Sequence, residues 1–343
     1  MGIRGRFGLL KARDYLQENA PSLPIKKGRL FIGAKRGCPL RTFAIVNQKG
    51  GCGKTTTSIN LAALYARRGL RTLLIDMDPQ AHCAAGLGVP EEQIEKNIGD
   101  AMVANHDDSL DKEEYLWEIS RNLHLAPSTM MLTALEAPGG ALQNMPDRDR
   151  RLNSLLRLWG NDFDRCVIDC PPNIGLLTYN ALRAATETLI PVETGFFSLR
   201  GARKQRKTVD ALVARIGKPL PCRIIPSIHR PSPLARTLLQ RLQETFGEEV
   251  SPTVIRDHET LREAASFGQP VCEFAPGSDA ESDFEALVNW LESIHEEEAP
   301  IVEVANGTGS RAAELALRVG SQSRQADIIG RIQPKEENDG AKF

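Results

Sequence analysis

Hydrophobic and polar positions along the chain follow the pattern of a parallel α/β sheet. Between residues 41 and 298, short runs rich in β-branched residues alternate with longer segments whose apolar residues recur at helical spacing. Strands are predicted at residues 43–47, 72–76, 123–126, 166–169, 188–192, 222–225 and 252–255, and helices at 54–68, 150–159, 202–216, 234–246 and 280–294. This alternation predicts an open, mostly parallel, doubly wound sheet with helices on both faces.

The two ends of the chain lack this pattern. Residues 1–40 are basic and contain scattered proline and glycine, so we expect a loosely ordered leader. Residues 299–343 are largely polar and end in an acidic stretch, which predicts a mostly disordered tail with one weak helix. The predicted organisation is therefore a leader (1–40), one α/β domain (41–298) and a tail (299–343).

Composition adds three limits to this picture. No run approaches the roughly 18 apolar residues that span a bilayer, and the seven cysteines form no Cys-x-x-Cys pair, which favours a reduced cytoplasm. Residues 1–41 hold ten Lys/Arg and two Asp/Glu, a net charge of +8, which leaves −9 for the remaining residues. Any affinity for nucleic acid must therefore come from local basic patches.

A glycine-rich turn lies between the first predicted strand and the helix at 54–68. Glycines let backbone N–H groups approach phosphate oxygens, and the N-terminus of the helix favours negative charge. Within the turn, Lys54 would reach the β- and γ-phosphates of ATP, and the Thr55 hydroxyl would bind Mg²⁺. The residues expected to bind the nucleotide are Lys49, Gly50, Gly51, Cys52, Gly53, Lys54, Thr55 and Thr56.

Three aspartates lie at the ends of predicted strands. Asp76 and Asp78 are two residues apart at the end of strand 72–76, so both side chains can point the same way. Asp169 ends strand 166–169 and precedes two prolines, which force a turn there. Ligands of open α/β sheets bind at the carboxyl ends of the strands, so all three carboxylates are expected beside the phosphate loop.

Four segments resemble the ParA/Soj branch of the deviant Walker A ATPases. They are Val-Asn-Gln-Lys-Gly-Gly at 46–51, Leu-Ile-Asp-Met-Asp-Pro-Gln at 74–80, Val-Ile-Asp-Cys-Pro-Pro at 167–172 and Glu-Ala-Ala-Ser-Phe-Gly-Gln-Pro at 263–270. The mark of this P-loop class is a second lysine, Lys49, while Gln48 stands where the usual loop has glycine. The resemblance covers roughly residues 41–298.

The resemblance implies slow, partner-stimulated ATP hydrolysis by a homodimer that forms on ATP. In this family the lysine at Lys49 reaches the ATP of the partner subunit, where a cation stabilises charge on the transferred phosphoryl group. The expected catalytic residues are Lys49, Lys54 and Asp78, with Asp78 positioning the attacking water. Asp76 and Asp169 are expected, with the threonine that follows Lys54, to support Mg²⁺.

The chain departs from the family pattern in two places. After Asp-Pro-Gln it has Ala81, His82 and Cys83 instead of Gly-Asn-Ala. A His–Cys pair can bind a metal, but the sequence shows no second ligand cluster, so no metal is predicted there. The stretch that contacts adenine, normally Ile-Pro-Arg-Asn, is Ile-Arg-Asp-His at 255–258, which leaves adenine specificity open.

Basic residues cluster on the predicted helix at 202–216. Arg203 and Lys207 lie opposite its apolar face, which fits either an ordinary surface helix or a phosphate-binding stripe. The family resemblance favours non-specific DNA binding by the ATP dimer. Arg230 matches one DNA-contacting arginine of the family, but Thr260 replaces another, and Arg262 or the leader is a candidate to compensate.

The leading hypothesis is a ParA-like chromosome or plasmid partition ATPase with a ParB-like activator, in the cytoplasm and associated with the nucleoid. The alternative is a MinD-like or cargo-positioning ATPase that does not use DNA. MinD relatives carry a glycine where this chain has Gln48, and they end in a basic amphipathic anchor, whereas residues 335–340 here are acidic. No membrane partner is therefore expected.

Overall fold

The computed structural model describes residues 26–27, 39–106, 110–195 and 198–298. Its centre is an eight-stranded sheet with the order β1-β4-β5-β3-β6-β2-β7-β8. The strands are β1 Lys26–Lys27, β2 Arg41–Ile45, β3 Thr72–Asp76, β4 Trp117–Ser120, β5 Leu123–Ala126, β6 Arg165–Asp169, β7 Glu187–Glu193 and β8 Cys222–Ser227. Six neighbouring strands, in the order β5, β3, β6, β2, β7 and β8, pair in parallel. Strands β1 and β4 add an antiparallel edge beside β5.

Helices cover both faces of the sheet, as the sequence predicts. They are α1 Lys54–Arg67, α2 His82–Gly86, α3 Ile98–Val103, α4 Met131–Glu136, α5 Arg151–Trp159, α6 Leu176–Ala184, α7 Ser198–Ile216, α8 Pro233–Phe246, α9 Glu259–Ser266, α10 Val271–Phe274 and α11 Asp279–Glu298. Among the described residues, no helix combines the length and apolar character that crossing a bilayer requires.

The core has two layers because successive strand residues point to opposite faces. Ala44 and Ile75 face the layer built by α3 to α7, whereas Phe43 and Leu74 face the layer built by α1 and α11. The predicted apolar stripe of α11 is buried in the second layer, through Phe284, Leu287, Val288 and Leu291. The open, mostly parallel, doubly wound fold is therefore confirmed.

One predicted strand is wrong. Residues 252–255 form no continuous ladder with the edge of the sheet, where Ile255 N donates to Pro226 O at 2.8 Å and Ile255 O accepts from His229 N at 3.0 Å. Pro252 has no N–H to give a ladder, and Ser251 Oγ accepts from Thr253 N at 3.2 Å, so the chain turns there. Strand β4 was not predicted. Residues 1–25 and 28–38 of the leader and all of the tail lie outside the described residues, so their expected disorder stays a prediction.

The register of the central strands brings the predicted site together. Asp76 of β3 lies opposite Asp169 of β6, and Ile45 of β2 lies opposite Asp169 on the other side. The loop before α1 follows β2 directly. Three neighbouring strands therefore end at one place, at their carboxyl ends, where open α/β sheets bind ligands.

Candidate functional site

The glycine-rich loop between β2 and α1 is held open by its backbone. Gly51 and Gly53 have φ values of 69° and 89°, in the left-handed region that side chains disfavour. Asn47 fixes the start of the loop, since its Nδ2 donates to Pro191 O at 2.6 Å and its Oδ1 accepts from Lys49 N at 2.9 Å. A Cβ added at Gly51 would meet no atom within 4 Å, so the loop borders free space.

The first turn of α1 is tied to the end of β6. Thr55 Oγ1 donates to Asp169 Oδ2 at 2.7 Å, and Ser58 Oγ donates to Asp169 Oδ1 at 2.8 Å. Lys54 is 7% exposed, and its Nζ donates to Lys49 O at 3.4 Å across the loop. Ser58 was not predicted, although it lies on the same helix face as Thr55, three residues later.

The aspartates after β3 have fixed orientations. Asp76 accepts from the backbone N–H groups of Asp78 (2.9 Å) and Cys83 (3.0 Å), and Asp78 Oδ1 accepts from Gln80 N at 3.1 Å. The turn passes through Ala81, whose φ of 54° is left-handed. The family's glycine would adopt this conformation without strain. The predicted carboxylates thus lie together, with Asp76 and Asp78 at most 6% exposed.

Burial disfavours ionisation of Asp76, Cys83 and Asp169. Burial raises the pKa of Asp169 to about 6, although hydrogen bonds from Thr55 and Ser58 oppose the change. Burial and then the charge of Asp169 raise the pKa of Asp76. Burial and both carboxylates also raise the pKa of the Cys83 thiol, whose Sγ donates to Asp169 Oδ2 at 3.6 Å. The site therefore favours a bound cation, which would stabilise the ionised forms.

The side chains present fit a magnesium–nucleotide complex. Mg²⁺ prefers oxygen ligands, and the Thr55 hydroxyl and the Asp76 and Asp169 carboxylates offer them at one place. The glycine loop supplies N–H groups for phosphate oxygens, and Lys54 supplies a positive charge beside them.

Lys49 lies apart from the carboxylates. Its side chain is 61% exposed and forms an ion pair with Glu193 at the end of β7. Cys52, in the middle of the loop, points inward and is fully buried, and its Sγ donates to Lys49 O at 3.2 Å. The loop thus presents one lysine to solvent and encloses the other, Lys54.

A cavity of about 460 Å³ adjoins the loop, and the altered stretch at 255–258 forms part of its wall. Arg256 and His258 are bound to Asp283, through Arg256 NH2 at 2.7 Å and His258 Nε2 at 2.9 Å. Their side chains are therefore occupied in holding α11. Asp257 instead binds the two arginines Arg230 and Arg262 at the rim of the cavity.

The four candidate DNA-contacting residues fall into two groups. Arg230 and Arg262 are exposed but share Asp257, at 2.6 and 2.7 Å, and Arg262 also pairs with Glu259. Arg203 and Lys207 are exposed on α7, four residues apart, and neither forms a salt bridge with any described residue. The second pair therefore keeps its positive charge available, whereas the first is largely neutralised.

A family model described as an AAA domain matches residues 40–221. The chromosome partitioning protein ParA of Myxococcus xanthus is 35% identical over 252 residues, which cover 72% of this chain and 87% of that protein. The sporulation initiation inhibitor protein Soj of Bacillus subtilis is 33% identical over 243 residues, covering 69% and 92%.

Solved structures share the fold. A plasmid partition protein of Borrelia burgdorferi bound to AMPPNP superposes with a TM-score of 0.63 at 22% identity, over 74% of this chain and 99% of that one. Cobyrinic acid a,c-diamide synthase of Mycobacterium smegmatis with ADP and magnesium gives 0.62 at 24% identity, over 76% and 97%. An McdA variant of Cyanothece in complex with ATP gives 0.64 at 22% identity, over 75% and 98%.

Proposed function

The chain belongs to the ParA/Soj family of partition ATPases, and on that premise we propose that it is an ATP-dependent switch in chromosome or plasmid partition. In this proposal it binds ATP with Mg²⁺, dimerises, binds DNA without sequence preference, and hydrolyses ATP slowly until a ParB-like partner stimulates it. The protein acts in the cytoplasm, on the nucleoid while DNA is bound.

The observation that carries the proposal is the junction of the phosphate loop with the end of β6. Asp169 accepts hydrogen bonds from Thr55 and Ser58, on successive turns of the helix that the loop opens. The junction joins a hydroxyl to a carboxylate, and the charge of the Lys54 ammonium acts on the same carboxylate. Phosphoryl transfer needs little more from a protein than such positioning and charge stabilisation.

Each residue has a defined part in this proposal. Lys54 binds the β- and γ-phosphates, and Thr55, Asp76 and Asp169 hold Mg²⁺, directly or through water. The magnesium–ATP complex, when bound, supplies the phosphoryl group to be transferred and neutralises charge that develops on it. Asp78 orients the attacking water and takes up its proton; the bond from Gln80 N to its Oδ1 keeps the carboxylate in place.

Lys49 acts in trans in this proposal. Its exposure at the rim of the loop supports that role, since a second copy facing this edge can reach it. The contact with Glu193 must then break when the dimer forms. A lysine delivered this way makes hydrolysis depend on dimerisation, which suits a switch that is timed by assembly.

The DNA surface in this proposal centres on α7. Arg203 and Lys207 face solvent with Arg200, Lys204 and Arg215, and on α8 Arg236 and Arg241 are exposed as well. A dimer doubles the number of basic residues that one surface can present, so binding should require ATP. Phosphate contacts of this kind give sequence-independent affinity that falls steeply with salt.

The test is DNA retention of the full chain with and without ATP, over a series of salt concentrations. Wild-type protein should bind DNA only with ATP, and the combined change Arg203→Glu with Lys207→Glu should abolish retention. The control is Arg150→Glu with Arg157→Glu, which makes the same change in charge at exposed positions around α5. Each lost phosphate contact should flatten the log–log salt slope by about 0.9.

A cargo-positioning ATPase that does not use DNA is the second candidate. It is favoured by the pairing of Arg230 and Arg262 with Asp257, because those arginines then offer little charge to a phosphate backbone. If the wild-type protein forms its ATP dimer but never retains DNA at low salt, this second function replaces the first. If both double variants lose DNA equally, the surface on α7 is not the contact.

A further inference from the structure

A thiol and two carboxylates from three separate segments meet beneath the phosphate loop. Cys83 lies in α2, Asp76 ends β3, and Asp169 ends β6. All three are fully buried, and their sulfur and carboxylate oxygen atoms can lie within 4.8 Å of one another. The sequence showed no ligand cluster for Cys83 because Asp169 is 86 residues away along the chain.

The distance between the Cys83 sulfur and a carboxylate oxygen fits a metal site with three protein ligands. Cys83 Sγ lies 3.6 Å from Asp169 Oδ2, whereas Thr55 Oγ1, 2.7 Å from the same oxygen, is at hydrogen-bond distance and is not a further ligand. Ligand atoms around a tetrahedral zinc ion are roughly 3.3–3.7 Å apart, given its bond lengths to sulfur and oxygen. Neither carboxylate forms a salt bridge with any residue that the structure describes.

We propose that Asp76, Cys83 and Asp169 form a site for a thiophilic divalent cation of the zinc type. Magnesium takes oxygen ligands, whereas a thiolate selects softer ions. When the metal–sulfur bond forms, the proton on Cys83 leaves to solvent.

The consequence is competition between two cations. Asp76 and Asp169 also serve the proposed magnesium site, so a thiophilic ion bound to them lowers the affinity for magnesium and slows ATP turnover. Only this consequence rests on the proposed function. Binding of the thiophilic ion itself needs no nucleotide, and it can be measured on the full chain alone.

The test uses Co²⁺ as a spectroscopic probe in nucleotide-free protein. Wild-type protein should develop a sulfur-to-cobalt charge-transfer band in the near ultraviolet, which Zn²⁺ then removes. Cys83→Ala should lose the band, and Cys83→Ser should lose it while keeping the side-chain size. Cys170→Ala is the matched control: Cys170 is buried and adjoins Asp169 in sequence, but its Sγ is directed to Ile168 O at 3.8 Å.

Three outcomes overturn the proposal: wild-type protein without a band, a band that persists in Cys83→Ala, or a band that Cys170→Ala removes equally. In the same preparations, the Zn²⁺ concentration that halves ATP turnover should rise about tenfold or more in Cys83→Ser and stay unchanged in Cys170→Ala. Magnesium-dependent ATP binding is measured separately. Its absence from wild-type protein would contradict the proposed function and leave the cobalt result standing.

Discussion

Charged side chains are buried at both ends of the central sheet, and the two ends treat them differently. At the amino ends of β2 and β7, Arg41 Nε donates to Glu187 Oε1 at 2.5 Å, and both side chains are almost fully buried. At the start of β6, Arg165 NH2 donates to Glu292 Oε2 of α11 at 2.6 Å. Here each buried charge has an opposite charge from the same chain.

At the carboxyl ends, the buried carboxylates have no salt-bridge partner among the described residues, although the charge of Lys54 lowers the pKa of Asp169. Asp76, Asp78 and Asp169 accept hydrogen bonds from hydroxyl and backbone N–H groups, but none forms a salt bridge with a described residue. A buried charge that lacks a salt bridge costs free energy of folding, and the attraction within a buried ion pair offsets that cost at least in part. The difference suggests that the amino ends serve stability and the carboxyl ends serve ligand binding.

The largest expected effect is at the carboxyl end. Lys54→Ala removes the positive charge that we propose binds the phosphates, so ATP binding should fall below detection in a calorimetric titration. The fold should remain, because Lys54 makes no salt bridge with a described residue. Wild-type affinity in this variant would show that the loop does not bind the phosphates.

Hydrolysis should separate from binding at Asp78. Asp78→Ala leaves Lys54 and the loop intact, so ATP binds and the dimer forms, but turnover should drop by about 10²–10⁴-fold because no group positions the water. Steady-state phosphate release beside an equilibrium ATP titration measures the two effects. Normal turnover would assign the catalytic role to another residue.

At the amino end, removal of a charged side chain should lower the stability of the fold and leave ATP binding unchanged. Arg41→Ala leaves Glu187 buried without its partner, and the free energy of unfolding should fall by about 3–5 kcal/mol. Urea unfolding measures the loss, and an ATP titration of the folded fraction should give the wild-type affinity. A loss below 1 kcal/mol would mean that the ion pair at this end does little for the fold.

Asp169→Asn should stabilise the nucleotide-free protein, the opposite of the effect expected for Arg41→Ala. Burial raises the pKa of Asp169 to about 6, above its ordinary value, so ionisation destabilises the fold as pH rises through that range. Above pH 7 the variant should therefore unfold less readily than the wild type, by on the order of 1–3 kcal/mol. Below pH 4 the two should converge. A variant less stable at pH 7.5 would contradict the comparison.

The smallest effect is expected at Glu193. Glu193→Gln releases Lys49 from an ion pair in which both side chains are exposed, a contact worth roughly 0.2–1 kcal/mol. ATP-dependent dimerisation, followed by analytical ultracentrifugation, should tighten by at most a few-fold. Weaker dimerisation would indicate that Glu193 itself contacts the second copy.

The sequence predicts what depends on local spacing. The phosphate loop, β3 with its two aspartates, and the apolar stripe of α11 each follow from a short periodic segment. Contacts set by the order of strands could not be predicted in the same way. Ser58 reaches Asp169 over 111 residues, and Lys49 reaches Glu193 over 144; both depend on which strands become neighbours.

The missed and misassigned strands have physical causes too. Strand β4 reads Trp-Glu-Ile-Ser, which alternates apolar and polar residues, but it is only four residues long, the shortest run that such a pattern can identify. Residues 252–255 have the composition of a strand, but Pro252 has no backbone N–H to donate to a neighbouring strand, so no ladder forms.

The left-handed turn at Ala81 has a dynamic consequence. A glycine there would populate many conformations in the unfolded chain and would let the folded turn make wide excursions. Alanine restricts both, and the residue is 7% exposed, so its methyl group is enclosed by neighbours. A left-handed alanine also costs about 1–2 kcal/mol, so the contacts around the segment that carries Asp78 and Cys83 must supply that free energy.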